Sequence, residues 1–316
     1  MQKILIDADT GIDDSIAILF ALKQSGVQVV GVTTGCGNTS AAQAAENTLR
    51  LIKLAGTPYE VPVAIGANAP LKGKWEGPVP HIHGQNGIGD VELPPSDQKP
   101  LEEPAWDFLI RMVRAHPHQL TLVTLGRMTN LALALQKAPD IVPLVKNVVF
   151  MGGTLHHPGN VSPVCEANLA GDPEAADFVF RSGLDLTMVG LDVTMQVRLT
   201  SRHLDMLDKY ATEENKPIAA YIRQAMEVYY RFNRLQNNCL DHCPVHDPLA
   251  VLAAVDPSLV TIRKAPARVE CGGTFCRGMV VADFREHPID APYLSICTDV
   301  DARKAVEKLI AAFTQP

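Results

Sequence analysis

Asp7, Asp9, Asp13 and Asp14 place four carboxylates within eight residues, in a stretch (residues 3–15) that reads KILIDADTGIDDS. Carboxylates this close repel one another and resist desolvation unless a cation or protons neutralise them. Ile4, Leu5 and Ile6 form the short apolar run of a strand covered on both faces. Asp7 and Asp9, two residues apart, therefore project to the same face while the chain stays extended. Thr10-Gly11 ends the strand, and Asp13-Asp14 stand where a helix carrying Ile16, Ala17, Leu19, Phe20 and Leu22 should begin. Acids suit a helix start, so Asp13 and Asp14 could serve only as caps. Capping does not account for Asp7 and Asp9 at the end of an apolar strand. Hard oxygen donors in this place suit Ca²⁺ or Mg²⁺ and not a soft metal.

Further polar residues gather where later apolar runs end. Asn38 lies in a glycine-rich turn, where it is either a ligand group or a helix cap. His81 and His83 lie two apart in a Gly- and Pro-rich segment (66–100), with no Cys or Glu cluster to make a zinc site with them. Asn160, Glu166 and Asn168 offer the donors and acceptors a sugar needs, and equally those of a turn. Tyr230 and Arg234 share one face of a helix expected from 218 to about 235, a pattern that an ordinary amphipathic helix also gives. Cys239, Cys243 and His246 lack the fourth ligand of a closed zinc site. Asp247 precedes Pro248 at the start of a helix expected over 249–255, again a good capping position.

The run DADTGIDD is similar to the amino-terminal signature of the nucleoside hydrolases, calcium-dependent enzymes that cut the N-glycosidic bond of ribonucleosides. Motifs further along the chain keep that family's order: Gly37-Asn38, His81-Ile82-His83-Gly84, Gly159-Asn160 with Glu166-Ala167-Asn168, Val245-His246-Asp247-Pro248, and GMVVADF from Gly278. The resemblance spans Asp7 to about Arg285. It implies a Ca²⁺ ion held by Asp9, Asp14, Asp247 and the backbone carbonyl of Leu125, with Asp9 as general base toward a Ca²⁺-bound water. It implies His246 as acid for the departing base, and Asp13, Asn38, Asn160, Glu166 and Asn168 around the ribose. His81, Tyr230, Arg234 and Met151 are implied near the base, with Asp7 ordering its neighbours. The histidines resemble the inosine-uridine or pyrimidine-preferring branch more than the branch that stacks a purine on tryptophan; the only tryptophans are Trp75 and Trp106. Ala167 departs from the aromatic that the family often places there, which alters the base pocket. Relatives of this kind are homodimers or homotetramers. Less well, the opening also resembles the DxDxT of haloacid-dehalogenase-type phosphatases, with Asp7 as nucleophile. A nucleoside- or ribose-binding protein without turnover is the third reading.

These residues need a scaffold that delivers strand ends to one edge. Apolar runs at 27–33, 61–65, 120–125, 147–151 and 186–191 alternate with helical stretches, as in βαβ units. The expected fold is α/β: a single large domain (1–316) with a mostly parallel central sheet flanked by helices and a Rossmann-like core. In such sheets ligands collect at the carboxyl ends of the strands. From Val269 onward a strand pair (269–270 and 278–283) and a closing helix over 302–313 are expected. The 28 Lys and Arg against 35 Asp and Glu give a net charge of -7 without any basic run. Nucleic acid and anionic membranes are therefore poor partners, and a small-molecule nucleoside remains the expected one. No signal peptide is visible and no apolar stretch approaches the ~20 residues of a membrane span. Seven cysteines then read as reduced thiols of a cytoplasmic protein.

Overall fold

The computed structural model describes residues 1–237 and 242–315. Its strands are β1 (Gln2–Ala8), β2 (Val27–Thr34), β3 (Val63–Ile65), β4 (Leu120–Thr124), β5 (Asn147–Met151), β6 (Leu186–Val189), β7 (Arg198–Thr200), β8 (His242–Pro244), β9 (Val260–Val269), β10 (Val280–Ala282) and β11 (Tyr293–Val300). β1 is apolar on both faces because both are covered. Ile4 and Ile6 point into one core and Leu5 into the other, as alternation along a strand requires. On the Ile4 side pack the helices Ile12–Lys23, Lys216–Asn237, His246–Val255 and Ala302–Thr314. On the Leu5 side pack Ala105–Ala115, Thr129–Lys137 and Pro173–Phe180. Each fully buried Ile or Leu in these layers contributes roughly 1.5–3 kcal/mol.

Nine strands form one sheet in the order β10-β9-β11-β6-β5-β4-β1-β2-β3. β9 runs antiparallel to β10 and β11; every other pairing in the sheet is parallel. The register decides which turns become neighbours. Asp7 lies opposite Thr33 of β2 and Thr124 of β4, so the turns after β1, β2 and β4 emerge side by side. β7 and β8 make a separate antiparallel ribbon.

The single α/β domain with a mostly parallel sheet is thus as expected, with differences in detail. The strand expected over 61–65 begins at Val63, and the one over 186–191 ends at Val189. The strand expected to reach Leu125 stops at Thr124. The segment 66–100, expected to be irregular, contains one helical turn, Pro80–His83. The carboxyl-terminal strand pair proves to be three strands. β11 was not expected, and of β9 only the end at Val269 was, because its exposed stretch (261–264) and Pro266 break the apolar pattern of a strand. Among the described residues no helix is long and apolar enough to cross a membrane.

Candidate functional site

Packing of the helix Ile12–Lys23 against the helix His246–Val255 brings acids from both ends of the sequence together. One carboxylate oxygen from each of Asp13, Asp14 and Asp247 lies within 4.8 Å of the others, and all three residues are buried. Asp14 does two things at once. Its Oδ2 accepts the backbone N–H of Gly11 (2.8 Å), closing the helix start, and an N–H of the Asn38 amide (3.0 Å). Its Oδ1 is buried with no protein partner among the described residues. Asp247 stands in the first turn of its helix, whose N-cap is Val245, so capping is not what its carboxylate does.

Asp9 follows directly on β1. Its Oδ2 accepts the backbone N–H of Asn38 (2.8 Å) and its Oδ1 the Asn38 side-chain amide (3.3 Å). The turn after β2 wraps Asp9 so closely that a Cβ on Gly37 would stand 1.7 Å from Asp9 Oδ2. The Leu125 carbonyl completes this floor and accepts from Asn168 Nδ2 (2.6 Å). Burial, reinforced by the neighbouring carboxylates, pushes Asp9 up to about 8 and Asp13 and Asp14 up to about 6, and raises Asp247 well above the carboxylate range. Asp7 lies behind the floor, where Oδ1 accepts from Thr33 Oγ1 (2.6 Å) and Asn130 Nδ2 (2.8 Å). Burial lifts it to about 7 against those two hydrogen bonds.

Above the acids opens a cavity of about 130 Å³, lined among others by Asp9, Asp13, Asn38, Leu125, Met151, Asn160, Glu166, Asn168 and His246. The residues assigned to the sugar and the acid are therefore brought together. Glu166 caps the short helix Ala167–Gly171: Oε1 accepts from Asn168 N and Oε2 from Gly153 N and Leu169 N. Burial raises it to about 7. Asn160 Oδ1 accepts the Ala167 N–H (2.9 Å), which leaves its amide N–H groups toward the cavity. His246 Nδ1 meets Thr194 Oγ1 at 2.8 Å, and burial pushes the ring down to about 4.

Three residues expected at the base stand elsewhere. His81 is exposed and faces outward; His83, two positions on, lines the cavity. Two residues apart on a helical turn differ by about 200° in direction, so only one of the pair can face inward. His83 Nδ1 accepts the Ile12 N–H (3.0 Å), which puts the neutral ring's proton on Nε2; burial pushes its pKa down to about 3. Tyr230 turns away and donates to the Leu199 carbonyl (3.0 Å), and Arg234 is exposed. The face of the long helix that meets the cavity carries Tyr229, Phe232 and Asn233 instead. Tyr229 packs on His83 with ring centroids 5.7 Å apart. Neither tryptophan lines the cavity; Trp75 donates its indole N–H to the Gly37 carbonyl (3.1 Å). Cys239 of the Cys/His reading lies outside the described residues.

A model of the inosine-uridine preferring nucleoside hydrolases matches residues 4–307. The chain belongs to the nucleoside hydrolase family. Uridine nucleosidase 1 of Arabidopsis thaliana is 40% identical to it over 282 residues, which cover 89% of this chain and 82% of that one. A plant nucleoside hydrolase of known structure superposes with a TM-score of 0.93 at 35% identity, over 100% of this chain and 99% of its own. A purine-preferring ribonucleoside hydrolase from Gardnerella vaginalis gives 0.91 at 36% identity, over 99% and 98%. This enzyme is accordingly an N-glycosidase of ribonucleosides, and the phosphatase and pure-binding readings are set aside. For a nucleoside hydrolase the acidic floor fits a hard divalent cation: three buried carboxylates cluster there, and among the described residues Asp14 Oδ1 has no protein donor.

Proposed function

We propose that Asp9, Asp14, Asp247 and the Leu125 carbonyl hold Ca²⁺, that Asp9 is the general base, and that His246 assists the leaving base. The observation that carries this is the buried Asp14 Oδ1, without a hydrogen-bond partner among the described residues, in a cluster with Asp13 and Asp247, both of which line the polar cavity. When bound, the cation lowers the pKa of water and fixes sugar hydroxyls by charge.

The chain's own residues do the rest. Asp9, raised by burial, is a stronger base than an exposed carboxylate and takes a proton from the attacking water. Asp13 accepts a hydrogen bond from a ribose hydroxyl. Asn168 spends its amide N–H groups on the carbonyls of Leu125 and Met151, which leaves Oδ1 to accept from the sugar. Asn160 supplies donors, whereas Asn38 commits its N–H groups to Asp9 and Asp14 and offers Oδ1 as an acceptor. Glu166 holds the Asn168 segment in place and presents a remaining lone pair to a hydroxyl. Together they orient the riboside for displacement through an oxocarbenium-like transition state. Met151, Tyr229 and Phe232 give the cavity its apolar wall.

The base side presents two ring N–H groups, from His83 and His246. Donors of this kind favour bases with exocyclic carbonyl oxygens, so inosine and uridine should be cleaved faster than adenosine. Ribose release from inosine, adenosine, guanosine, uridine and cytidine, with and without chelator, tests both statements. Full activity in chelator would remove the cation from the mechanism, and adenosine as best substrate would remove the donor wall.

A further inference from the structure

We propose that Thr194 is a positioning residue for the departure of the base: its hydroxyl holds His246 in the tautomer that presents an N–H to the cavity. This rests on the reading of His246 as the group that meets the leaving base.

Thr194 ends the short helix Leu191–Thr194 and is fully buried. Its Oγ1 stands 2.8 Å from His246 Nδ1. A buried hydroxyl carries one proton that needs an acceptor. Among the described residues Thr194 Oγ1 makes no other hydrogen bond, so its proton goes to Nδ1. Nδ1 is then an acceptor, and a neutral imidazole must carry its own proton on Nε2. His246 lines the cavity, and Nε2 has no protein partner among the described residues. The opposite arrangement, Nδ1–H donating to Oγ1, would strand the hydroxyl proton and turn a bare nitrogen toward a base gaining negative charge.

The contact is built into a stiff junction. Thr194 precedes β7 and His246 follows β8; the two strands pair through Arg198 and Pro244, and Val245 N–H donates to the Val197 carbonyl (3.0 Å). A β-branched residue adds few rotamers to this frame. The Ile12 N–H imposes the same tautomer on His83 from a backbone donor. Both histidines of the cavity are thus fixed by the protein at Nδ1 and offer Nε2–H.

The test separates substrates by leaving group. Uridine needs its base stabilised as it departs; p-nitrophenyl β-D-ribofuranoside releases a phenolate that needs no such help. Thr194→Val, which keeps the shape and removes the hydroxyl, should lower kcat on uridine about tenfold or more with KM little changed, part of the roughly 10²–10⁴ that a positioned acid contributes. Its kcat on the p-nitrophenyl riboside should stay within about twofold, and Thr194→Ser should restore uridine cleavage. Equal loss on both substrates, no loss on uridine, or failure of serine to rescue would overturn the proposal. His246→Ala tells its failure from that of the underlying reading: full uridine cleavage by this variant defeats the role of His246 itself. If His246→Ala discriminates the two substrates and Thr194→Val does not, Thr194 alone is wrongly assigned. Heteronuclear NMR of the wild-type imidazole nitrogens needs no variant, and Nδ1 protonation of His246 would also overturn it.

Discussion

A single carboxylate, Asp14, shows how helix start and the proposed cation site are merged: one oxygen satisfies the Gly11 N–H, while the other, without a partner among the described residues, is the proposed ligand. Asp247 shares the cluster without sharing the capping role, so it is the cleaner probe. In Asp247→Asn one charge of a mutually repelling buried set disappears. Its melting temperature in chelator should therefore equal or exceed that of the wild type. Ribose release should fall at least about a hundredfold, the scale on which one preorganised electrostatic group acts, and added Ca²⁺ should no longer raise the melting temperature. A variant that still gains stability from the cation would place the ion elsewhere. The two histidines of the 80–84 turn give a second test at this scale. His83→Ala leaves the buried Ile12 N–H without its acceptor, which should cost about 1–3 kcal/mol of stability besides lowering kcat. His81→Ala, altering an exposed ring whose contact with Phe232 is edge-on at 6.0 Å, should change neither by a measurable amount. Urea unfolding and initial rates on both variants decide between them.

Elements turn these residues toward or away from the cavity, and here a small rotation has large consequences. In the turn after β2, Gly37 is required by proximity, since a Cβ would stand 1.7 Å from Asp9 Oδ2. Gly37→Ala should displace Asp9 while the parallel register of β1 and β2 holds. The expected outcome is loss of most activity and a weakened response to Ca²⁺, with unchanged far-ultraviolet circular dichroism and a stability loss of about 1–3 kcal/mol from overpacking. Retained activity would mean that Asp9 can move without harm. The acids and the strands that deliver them were legible in the sequence, because an apolar run ending in carboxylates has few physical explanations. Helical phase was not. Spacing places Tyr230 and Arg234 on one face, but nothing in a sequence says which face meets the site. The helix presents Tyr229 and Asn233 there, one residue, or about 100°, around from the pair expected. The same blindness exchanged His83 for His81, since a helical turn was read as irregular chain. Hydrogen-bond partners such as Thr194 for His246 were illegible for another reason: they lie 52 positions apart and carry no motif.

At the scale of the whole molecule, folding drives acids from residues 9–14 and 247 into one buried volume, and the chain's pH dependence should register it. Burial and mutual repulsion raise Asp13 and Asp14 from 3.8 to about 6 and Asp9 from 3.8 to about 8. A carboxyl raised by folding binds its proton more tightly folded than unfolded. Between these values the folded chain carries more protons than the unfolded one, so stability falls as pH rises through the window. Asp177 works in the opposite sense and outside that window. Burial would raise it, but hydrogen bonds from Arg268, the Val269 N–H and Arg181 hold it below the ordinary carboxylate range. Its contribution is complete above that range and is lost only as pH falls below it. The buried His83 and His246, pushed from 6.5 down to about 3 and about 4, oppose the acids below about pH 6.5, where the unfolded imidazoles bind more protons; above it the acidic cluster dominates the neutral limb. A cation bound as proposed would neutralise the same carboxylates without protons, and at about 100 times its Kd would contribute roughly 2.7 kcal/mol to the folded state. In chelator, the melting temperature should decline as pH is raised from about 6.5 to about 8; with excess Ca²⁺ the decline should be smaller. The difference between the two curves should widen with pH, because protons and the cation compete for one set of oxygens. A gap that stays constant or narrows would show that the cation does not bind where the carboxylates converge.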